Sequence, residues 1–231
     1  MGRYGKAQQL WAIYNKQEKY NQYWLILFAY LSLLIIKASK NKYKSNLKLK
    51  KKTLENSRKI RAYLEEHLTD TYIQAWKEAC KIMGKHIPLP SEDEINNIVN
   101  ETWVGSFNFK QRQARNTNNF LNKLKDLDKD EKLSDEERLV LKKKLVKSYR
   151  YTVYRLTRTE TARIINTASL RAYQEAGVNY VEWVTADDEK VCPICGARER
   201  KVYQVSLAPN CPDHPNCRCV LIPYKYYGGL D

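Results

Sequence analysis

Apolar residues recur at intervals of three and four positions through most of the first two thirds of the chain, and this spacing predicts helices. Glycine and proline are scarce until the segment His86-Ile87-Pro88-Leu89-Pro90, where two closely spaced prolines predict a break. After Gly177 the period changes, because residues 180–185 and 201–205 alternate polar with β-branched or aromatic side chains. With a third short strand over residues 219–223, these patterns predict an α+β fold that is mainly α-helical, with a small β lobe at the C-terminus.

Two capping boxes predict where individual helices begin. Ser91 precedes Glu94 by three residues and Ser134 precedes Glu137 by the same interval. In each pair the two side chains are expected to bond the free N–H groups of the first helical turn. Between the two pairs we expect one further helix, over residues 111–127.

A long helix is predicted from the second capping box to Gly177, a residue suited to the left-handed end of a helix. Its buried stripe, in steps of three and four, consists of Val146, Tyr149, Val153, Leu156, Glu160 and Ile164. Glu160 stands out, because a carboxylate that faces a core needs a partner. Arg158 and Arg163 are near in sequence, and Arg163 lies at the i+3 position. We therefore interpret Arg158, Glu160 and Arg163 as a structural charge cluster.

The chain divides into three predicted regions. Residues 1–90 are expected to form an N-terminal helical arm, residues 91–177 a second helical region, and residues 178–231 the small β lobe. Within the arm, residues 23–36 are apolar and residues 37–61 are strongly basic.

The apolar segment over residues 23–36 is too short for an ordinary membrane span. Fourteen helical residues rise only about 21 Å, against a hydrocarbon core of roughly 30 Å. A signal peptide is not expected either, since the preceding leader exceeds twenty residues and only Lys37-Ala38-Ser39-Lys40 follows. We expect a helix packed against this protein or a partner, with membrane contact as the less favoured alternative.

The net charge of +15 is concentrated in two runs and indicates an acidic partner. Residues 37–61 hold eleven Lys or Arg against one acid, and residues 141–171 hold nine against one acid. Such density is typical of phosphate contacts, which add affinity without reading sequence. A solvated helix face or contact with an anionic membrane surface would also explain it. The candidate nucleic-acid contacts are Lys48, Lys50, Lys51, Lys52, Lys142, Lys143, Lys144, Lys147 and Arg150.

Five of the six cysteines and one of the three histidines fall within 28 residues near the C-terminus. The segment Cys192-Pro193-Ile194-Cys195 has the spacing of a zinc knuckle, and eighteen residues separate it from the segment His214–Cys219. The predicted ligands of one structural zinc ion are Cys192, Cys195, His214 and one of the pair Cys217 and Cys219. Cys211 is the least favoured ligand. Because three short strands bury little surface, zinc is expected to anchor the β lobe.

Other chemistries of this cluster remain open. Disulfides are one alternative, although a chain of 231 residues can bury a core without them. A redox CxxC usually follows a strand in a βαβ pattern, which this sequence lacks. A catalytic zinc keeps one coordination position for water and needs a general base, yet only His214 accompanies the cysteines. We therefore expect no enzyme, with a zinc-dependent nuclease as the alternative.

Six short motifs occur in one order along the C-terminal half of the chain. They are Arg158-Thr159-Glu160-Thr161, Ala172 to Val178, Trp183 with Asp188, Cys192-x-x-Cys195, Lys201-Val202-Tyr203 and His214 to Cys219. In this order they resemble the Mu F-like minor head proteins of tailed bacteriophages, also called phage head morphogenesis proteins or the gp7-like family of the phage SPP1. The resemblance covers roughly residues 97–224, with Trp103-Val104-Gly105 near its start.

This resemblance implies a structural virion protein at the portal vertex or in the head interior, present in the host cytoplasm during assembly. It implies binding to the portal protein, to double-stranded DNA without sequence preference and to other head proteins, in head assembly or in genome packaging and ejection. The cysteine and histidine positions of the family map onto Cys192, Cys195, His214, Cys217 and Cys219. The basic runs agree with this interpretation, whereas the apolar segment over residues 23–36 is not expected of it.

Overall fold

The computed structural model describes residues 2–16, 28–33, 35, 44–102, 107–186 and 188–224. Its helices are α1 (Arg3–Lys16), α2 (Lys44–Met83), α3 (Glu92–Val99), α4 (Phe109–Lys129), α5 (Asp135–Glu175) and the single turn α6 (Pro193–Gly196). Its strands are β1 (Tyr180–Val184), β2 (Val202–Gln204) and β3 (Val220–Tyr224). Residues 28–33 and 35 are also helical. The predicted class, mainly α-helical with a small C-terminal sheet, is confirmed, while the zinc anchor stays a prediction.

Both predicted capping boxes are present. The Glu94 carboxylate accepts hydrogen bonds from the backbone N–H and the hydroxyl of Ser91, at 2.9 and 2.8 Å. The Glu137 carboxylate accepts the same pair from Ser134, also at 2.9 and 2.8 Å. These bonds satisfy donors that the first turns of α3 and α5 would otherwise leave free.

The further helix predicted over residues 111–127 is α4, which begins two residues earlier, at Phe109. Asn108 caps it, accepting from the backbone N–H of Gln111 at 3.0 Å, while the Gln111 side chain accepts from the backbone N–H of Asn108 at 2.9 Å. At the far end of α5, Gly177 has φ +73°, the left-handed conformation predicted for it. Trp103-Val104-Gly105, near the start of the family resemblance, lies outside the described residues.

The three strands form one antiparallel sheet in the order β2-β1-β3. In register, Val181 faces Tyr203 on β2, and Trp183 faces Leu221 on β3. The central strand is buried, and Trp183 is fully so. The second strand is shorter than predicted, because the chain turns into a 3-10 helix at Val205.

The described residues form two compact units. Unit 1 contains those within residues 1–17, 66–99 and 158–231, and unit 2 those within residues 18–65 and 100–157. These divisions differ from the predicted regions 1–90, 91–177 and 178–231, because segments far apart in sequence pack together. In particular, the predicted arm contributes residues to both units.

In unit 1, α1 packs against the β lobe, which sequence patterns did not predict. Leu10 is fully buried there, and the Trp11 indole N–H donates to the carbonyl of Arg218 at 3.0 Å. The Lys6 ammonium donates to the carbonyl of Pro223 at 3.2 Å. Helix α1 is therefore part of the folded lobe.

In unit 2, the described part of the apolar segment contributes to the helical core. Phe28, Leu31 and Ile35 are buried, and the Phe28 ring lies edge-on to Tyr149 at 5.4 Å between ring centroids. The other members of this core are Leu49, Ile60, Phe120, Leu124, Val146 and Val153. The expectation of a packed helix thus holds for these residues, while residues 23–27, 34 and 36 lie outside the described part. Among the described helices, none is both long and apolar enough to cross a membrane.

Candidate functional site

The CxxC segment forms the first half of the candidate metal centre. Cys192 is extended (φ −76°, ψ 158°) and caps α6, with Pro193 at the first helical position. Its sulfur accepts a hydrogen bond from the backbone N–H of Cys195 at 3.4 Å. This tight turn directs both sulfurs toward the same point, as a knuckle requires.

His214 supplies the nitrogen donor from the second segment. Its Nε2 lies 3.1 Å from the Cys192 sulfur and 3.2 Å from the Cys195 sulfur. Its Nδ1 lies 2.9 Å from the carbonyl oxygen of Pro215, so the ring proton belongs on Nδ1 and is donated there. The Nε2 lone pair is then free to bind a metal, with the carbonyl contact orienting the ring.

The remaining cysteines complete the cluster. The Cys217 sulfur lies 3.7 Å from the Cys195 sulfur. Two groups have ligand atoms within 4.8 Å of one another: Cys192, Cys195 and His214, and Cys195, Cys217 and Cys219. All five side chains predicted from the sequence are therefore brought together. Cys211 is buried and donates to the Cys219 carbonyl at 3.2 Å, but it is in neither group.

The thiols of this cluster compete for negative charge. Hydrogen bonds from the side chains of Cys211 and then Cys219 lower the pKa of Cys217, which favours its thiolate. Burial, and then the charge of Cys217, raise the pKa of Cys195 to about 12. Contact with Cys217, together with burial, raises the pKa of Cys219 well above its usual range. Several thiolates this close are stable together only beside a cation.

The donor set fits a metal ion that prefers sulfur and imidazole. Two thiolates on a tetrahedral zinc ion lie about 3.8 Å apart, given Zn–S bonds of about 2.3 Å. The 3.7 Å between the sulfurs of Cys195 and Cys217 matches that separation. The described cluster contains thiols and one imidazole and no carboxylate, the usual composition of a structural zinc site.

The cluster is fastened to α5 by polar residues that sequence patterns did not reveal. The Thr159 hydroxyl accepts from the backbone N–H of Asn216, 3.1 Å away. Asn166 donates to the carbonyl of Cys219 at 3.1 Å and accepts from the N–H of Leu221 at 2.9 Å. The position of Asn166 directly after Ile164 and Ile165 was the available signal, because an amide beside apolar core residues needs partners.

Three ion pairs hold the edges of the lobe. Arg3 of α1 pairs with Glu182 of β1 and with Glu199. Asp188, part of the acidic turn after β1, pairs with Arg218 at 2.7 Å. The turn that carries the Asp188 motif therefore contacts the metal-binding segment directly.

The three residues of the predicted charge cluster on α5 have the following partners. Glu160 and Arg163 are both buried and pair at 2.8 Å. Arg163 also donates to the carbonyls of Ile98 and Val99, at 3.1 and 2.9 Å, and so caps the end of α3. Arg158 donates to the Tyr14 hydroxyl at 2.9 Å and thereby ties α1 to α5.

Most of the predicted nucleic-acid contacts are exposed in unit 2. They are Lys48, Lys50 and Lys51 on α2, and Lys143, Lys144, Lys147 and Arg150 on α5. Lys52 is partly exposed and pairs with Glu55 at 2.9 Å. The inclusion of Lys142 was wrong, since it is only 5% exposed and pairs with Asp128. A buried, neutralised ammonium cannot reach a phosphate.

Comparison with known families identifies the segment that contains this centre. Residues 117–222, just under half of the chain, match the family model described as Phage Mu protein F like protein. Over these residues the chain is similar to that family. No curated protein and no solved structure matches it.

The Mu F-like segment begins inside α4 and ends inside β3, so it contains α5 and nearly all of the β lobe. All five predicted metal ligands lie within it, as do the basic residues of α5, whereas α1 and α2 lie outside. The match agrees with the resemblance to phage head morphogenesis proteins that the sequence motifs indicated.

Proposed function

We propose that this protein is a structural minor head protein of a tailed bacteriophage, located at the portal vertex, that binds double-stranded DNA without sequence preference. The observation that carries the proposal is the Mu F-like match over residues 117–222. In this role the protein acts in head assembly, or in genome packaging and ejection, beside the portal protein and other head proteins.

The charge distribution supports the DNA-binding part of the proposal. Lys143, Lys147 and Arg150 follow one another at steps of four and three on α5 and are exposed, so they lie along one side of the helix. Lys48 and Lys51 are exposed in the same way on α2. Cations on helix faces bind phosphates through charge alone, which gives affinity that is independent of base sequence.

The composition of the metal centre favours a structural role for the metal, as a clamp on the lobe, over a catalytic one. Zinc held by Cys192, Cys195, His214 and one of the pair Cys217 and Cys219 would contribute folding free energy to a lobe whose three strands bury little surface. Cys217 is the fourth ligand we favour, because its sulfur lies 3.7 Å from that of Cys195, close to the separation of two thiolates on one zinc ion. Four such donors complete a tetrahedral shell without a water molecule.

The DNA-binding part is tested with fluorescently labelled duplexes of two unrelated sequences. We expect equal affinities for the two duplexes, and an affinity that falls steeply as salt rises from about 50 to about 200 mM, since released counterions drive phosphate contacts. A flat salt response, or a marked preference for one duplex, would contradict the proposal.

The nuclease alternative is tested by plasmid nicking with added Mg²⁺ or Zn²⁺. A structural protein leaves the plasmid supercoiled at every metal concentration. Cleavage that depends on metal, and that His214→Ala abolishes while circular dichroism shows intact folding, would favour the enzyme over the clamp.

A further inference from the structure

The outward side of α4 carries an ordered row of cationic and amide side chains. The row follows steps of three and four residues, so its members lie along one side of the helix, and all of them are exposed. We call this row the α4 outer face; it consists of Arg115, Asn118, Asn122, Lys125 and Lys129. The opposite side of α4 is buried in unit 2 through Phe109, Gln113, Thr117, Phe120 and Leu124. The α4 outer face therefore points away from the core of unit 2.

The charge of this face is mainly positive. Residues 102–125 include five Lys or Arg and no Asp or Glu, and the exposed Asp126, four residues after Asn122, is an acid on the same side of the helix. Among the described residues, neither Lys125 nor Lys129 has an ion-pair partner. Arg115 lies over the ring of Phe107, 5.7 Å from its centre, and that ring is 42% exposed. These cations are available to an external anion.

The asparagines are the unusual part of the row. Four asparagines fall within seven residues of α4, at positions 116, 118, 119 and 122. Asparagine is a poor helix former, and an inert exposed face is better served by Ala, Lys or Glu. Asn118 and Asn122 bond no described side chain, so their amides face outward without a partner there. Exposed residues that oppose local helix preference are expected mainly where function selects them.

We propose that the α4 outer face is a seat for the backbone of duplex DNA, a proposal that rests on the DNA binding proposed above. Arg115, Lys125 and Lys129 pair with phosphates, and the amides of Asn118 and Asn122 donate to phosphate oxygens between them. From the first to the last of these residues the helix rises about 21 Å.

DNA fits this face better than an acidic protein does. Protein interfaces are built around a buried apolar or aromatic centre. The five residues of the α4 outer face include no apolar side chain, and the exposed Phe107 lies at its end. A groove of about 480 Å³ between α4 and α5 is lined by Lys123 and Lys144 and also by Asp126 and Asp130, so it is of mixed charge and is not part of the proposed contact.

The first test removes charge. The variant Arg115→Gln/Lys125→Gln/Lys129→Gln is compared with Lys77→Gln/Lys190→Gln/Lys201→Gln, which removes three exposed cations from unit 1. Binding of a labelled duplex is measured by fluorescence polarisation across a salt series. The α4 variant should lower the slope of log K against log salt by about 2.7, and the affinity at about 0.15 M salt on the order of a hundredfold. The control variant should leave the slope unchanged.

The second test removes the amides without changing charge. Asn118→Ala/Asn122→Ala should weaken binding about fivefold or more at an unchanged salt slope, because one net hydrogen bond corresponds to about that factor. The same variant should melt at an equal or higher temperature, since alanine is the better helix former. A merely solvated face would show the higher stability with no loss of affinity.

The measurements distinguish failure of the α4 contact with DNA from failure of DNA binding by the protein as a whole. If the wild-type chain binds duplexes with a steep salt slope but the α4 variant behaves like its control, the α4 seat is refuted and DNA binding stands. The α4 seat is refuted in the same way if the α4 variant loses only its incorporation into heads, because the partner would then be a protein. If the wild-type chain does not bind DNA, both proposals fall.

Discussion

Asn166 on α5 is expected to hold strand β3 in place. Its side-chain N–H groups donate to the carbonyls of Ala162 and Cys219, at 2.9 and 3.1 Å, and its oxygen accepts from the N–H of Leu221 at 2.9 Å. Asn166 is only 1% exposed, so water cannot replace these bonds. The variant Asn166→Ala therefore removes a link between the long helix and the lobe.

The size of the effect can be worked from these bonds. An unsatisfied Leu221 N–H costs about 1 to 3 kcal/mol, and loss of the bond to the Cys219 carbonyl costs about 1 kcal/mol net. The better helix preference of alanine offsets roughly 0.6 kcal/mol. We expect a net loss of about 2 to 3 kcal/mol, which corresponds to a local opening constant for β3 that is larger by roughly 30- to 150-fold.

Hydrogen–deuterium exchange of the β3 amides measures this opening directly. A matched control is Asn119→Ala, which makes the same substitution at an exposed position in the middle of α4. The control should leave β3 exchange unchanged. Equal exchange of β3 in the two variants would refute the anchoring role of Asn166.

Three further predictions concern the metal centre and the buried charges of unit 1. Cys217→Ser should lose bound zinc, measured by mass spectrometry of the metal, whereas Cys211→Ser should retain it. Zinc retained by Cys217→Ser and lost by Cys211→Ser would show that Cys211, and not Cys217, is the ligand. Glu160→Ala should lower the free energy of unfolding by about 3 kcal/mol in urea denaturation, because it leaves the Arg163 charge buried without its carboxylate, and Glu160→Gln should cost less. Burial lowers the pKa of His67 to about 4, against the charge of Asp70. The unfolded chain therefore binds more protons below about pH 6.5, and stability should fall by about 2 kcal/mol from pH 7 to pH 5. The variant His67→Gln leaves the metal ligands in place and should not show this loss of stability between pH 7 and pH 5. If the variant and the wild-type chain had the same pH dependence, His67 would not be a buried neutral side chain.

Local signals predicted the helices well. The capping boxes at Ser91 and Ser134 and the glycine at position 177 act within one helical turn, so the sequence window that contains them is sufficient to predict them. The three strands were found for a similar reason, since the alternation over residues 180–185 and 201–205 and the short apolar run over residues 219–223 are each properties of five or six consecutive residues.

Packing partners were much harder to predict, because they are distant in sequence. Nothing near Trp11 shows that its indole bonds the carbonyl of Arg218, more than 200 residues away. Lys142 stands beside two exposed lysines in the same basic run, and only the position of Asp128 on α4 explains why it is buried. A charge run reports composition, whereas burial depends on the neighbouring helix.

The candidate metal centre lies between these two cases. The spacing in the sequence predicted Cys192, Cys195 and His214 as ligands. A choice between Cys217 and Cys219 as the fourth ligand requires the distances in the folded chain. The distance of 3.7 Å between Cys195 and Cys217 is a tertiary property, set by the turn from His214 to Cys217.

We propose that a metal ion held by the cysteine and histidine cluster stabilises the β lobe as a clamp. The most direct test is hydrogen exchange of the purified chain before and after chelation, with the zinc content measured in the same samples. We predict about one zinc ion per chain, and loss of amide protection in β1 and β3 when that ion is removed, with protection retained in α4. Unchanged protection of β1 and β3 after the metal has been removed would contradict the clamp.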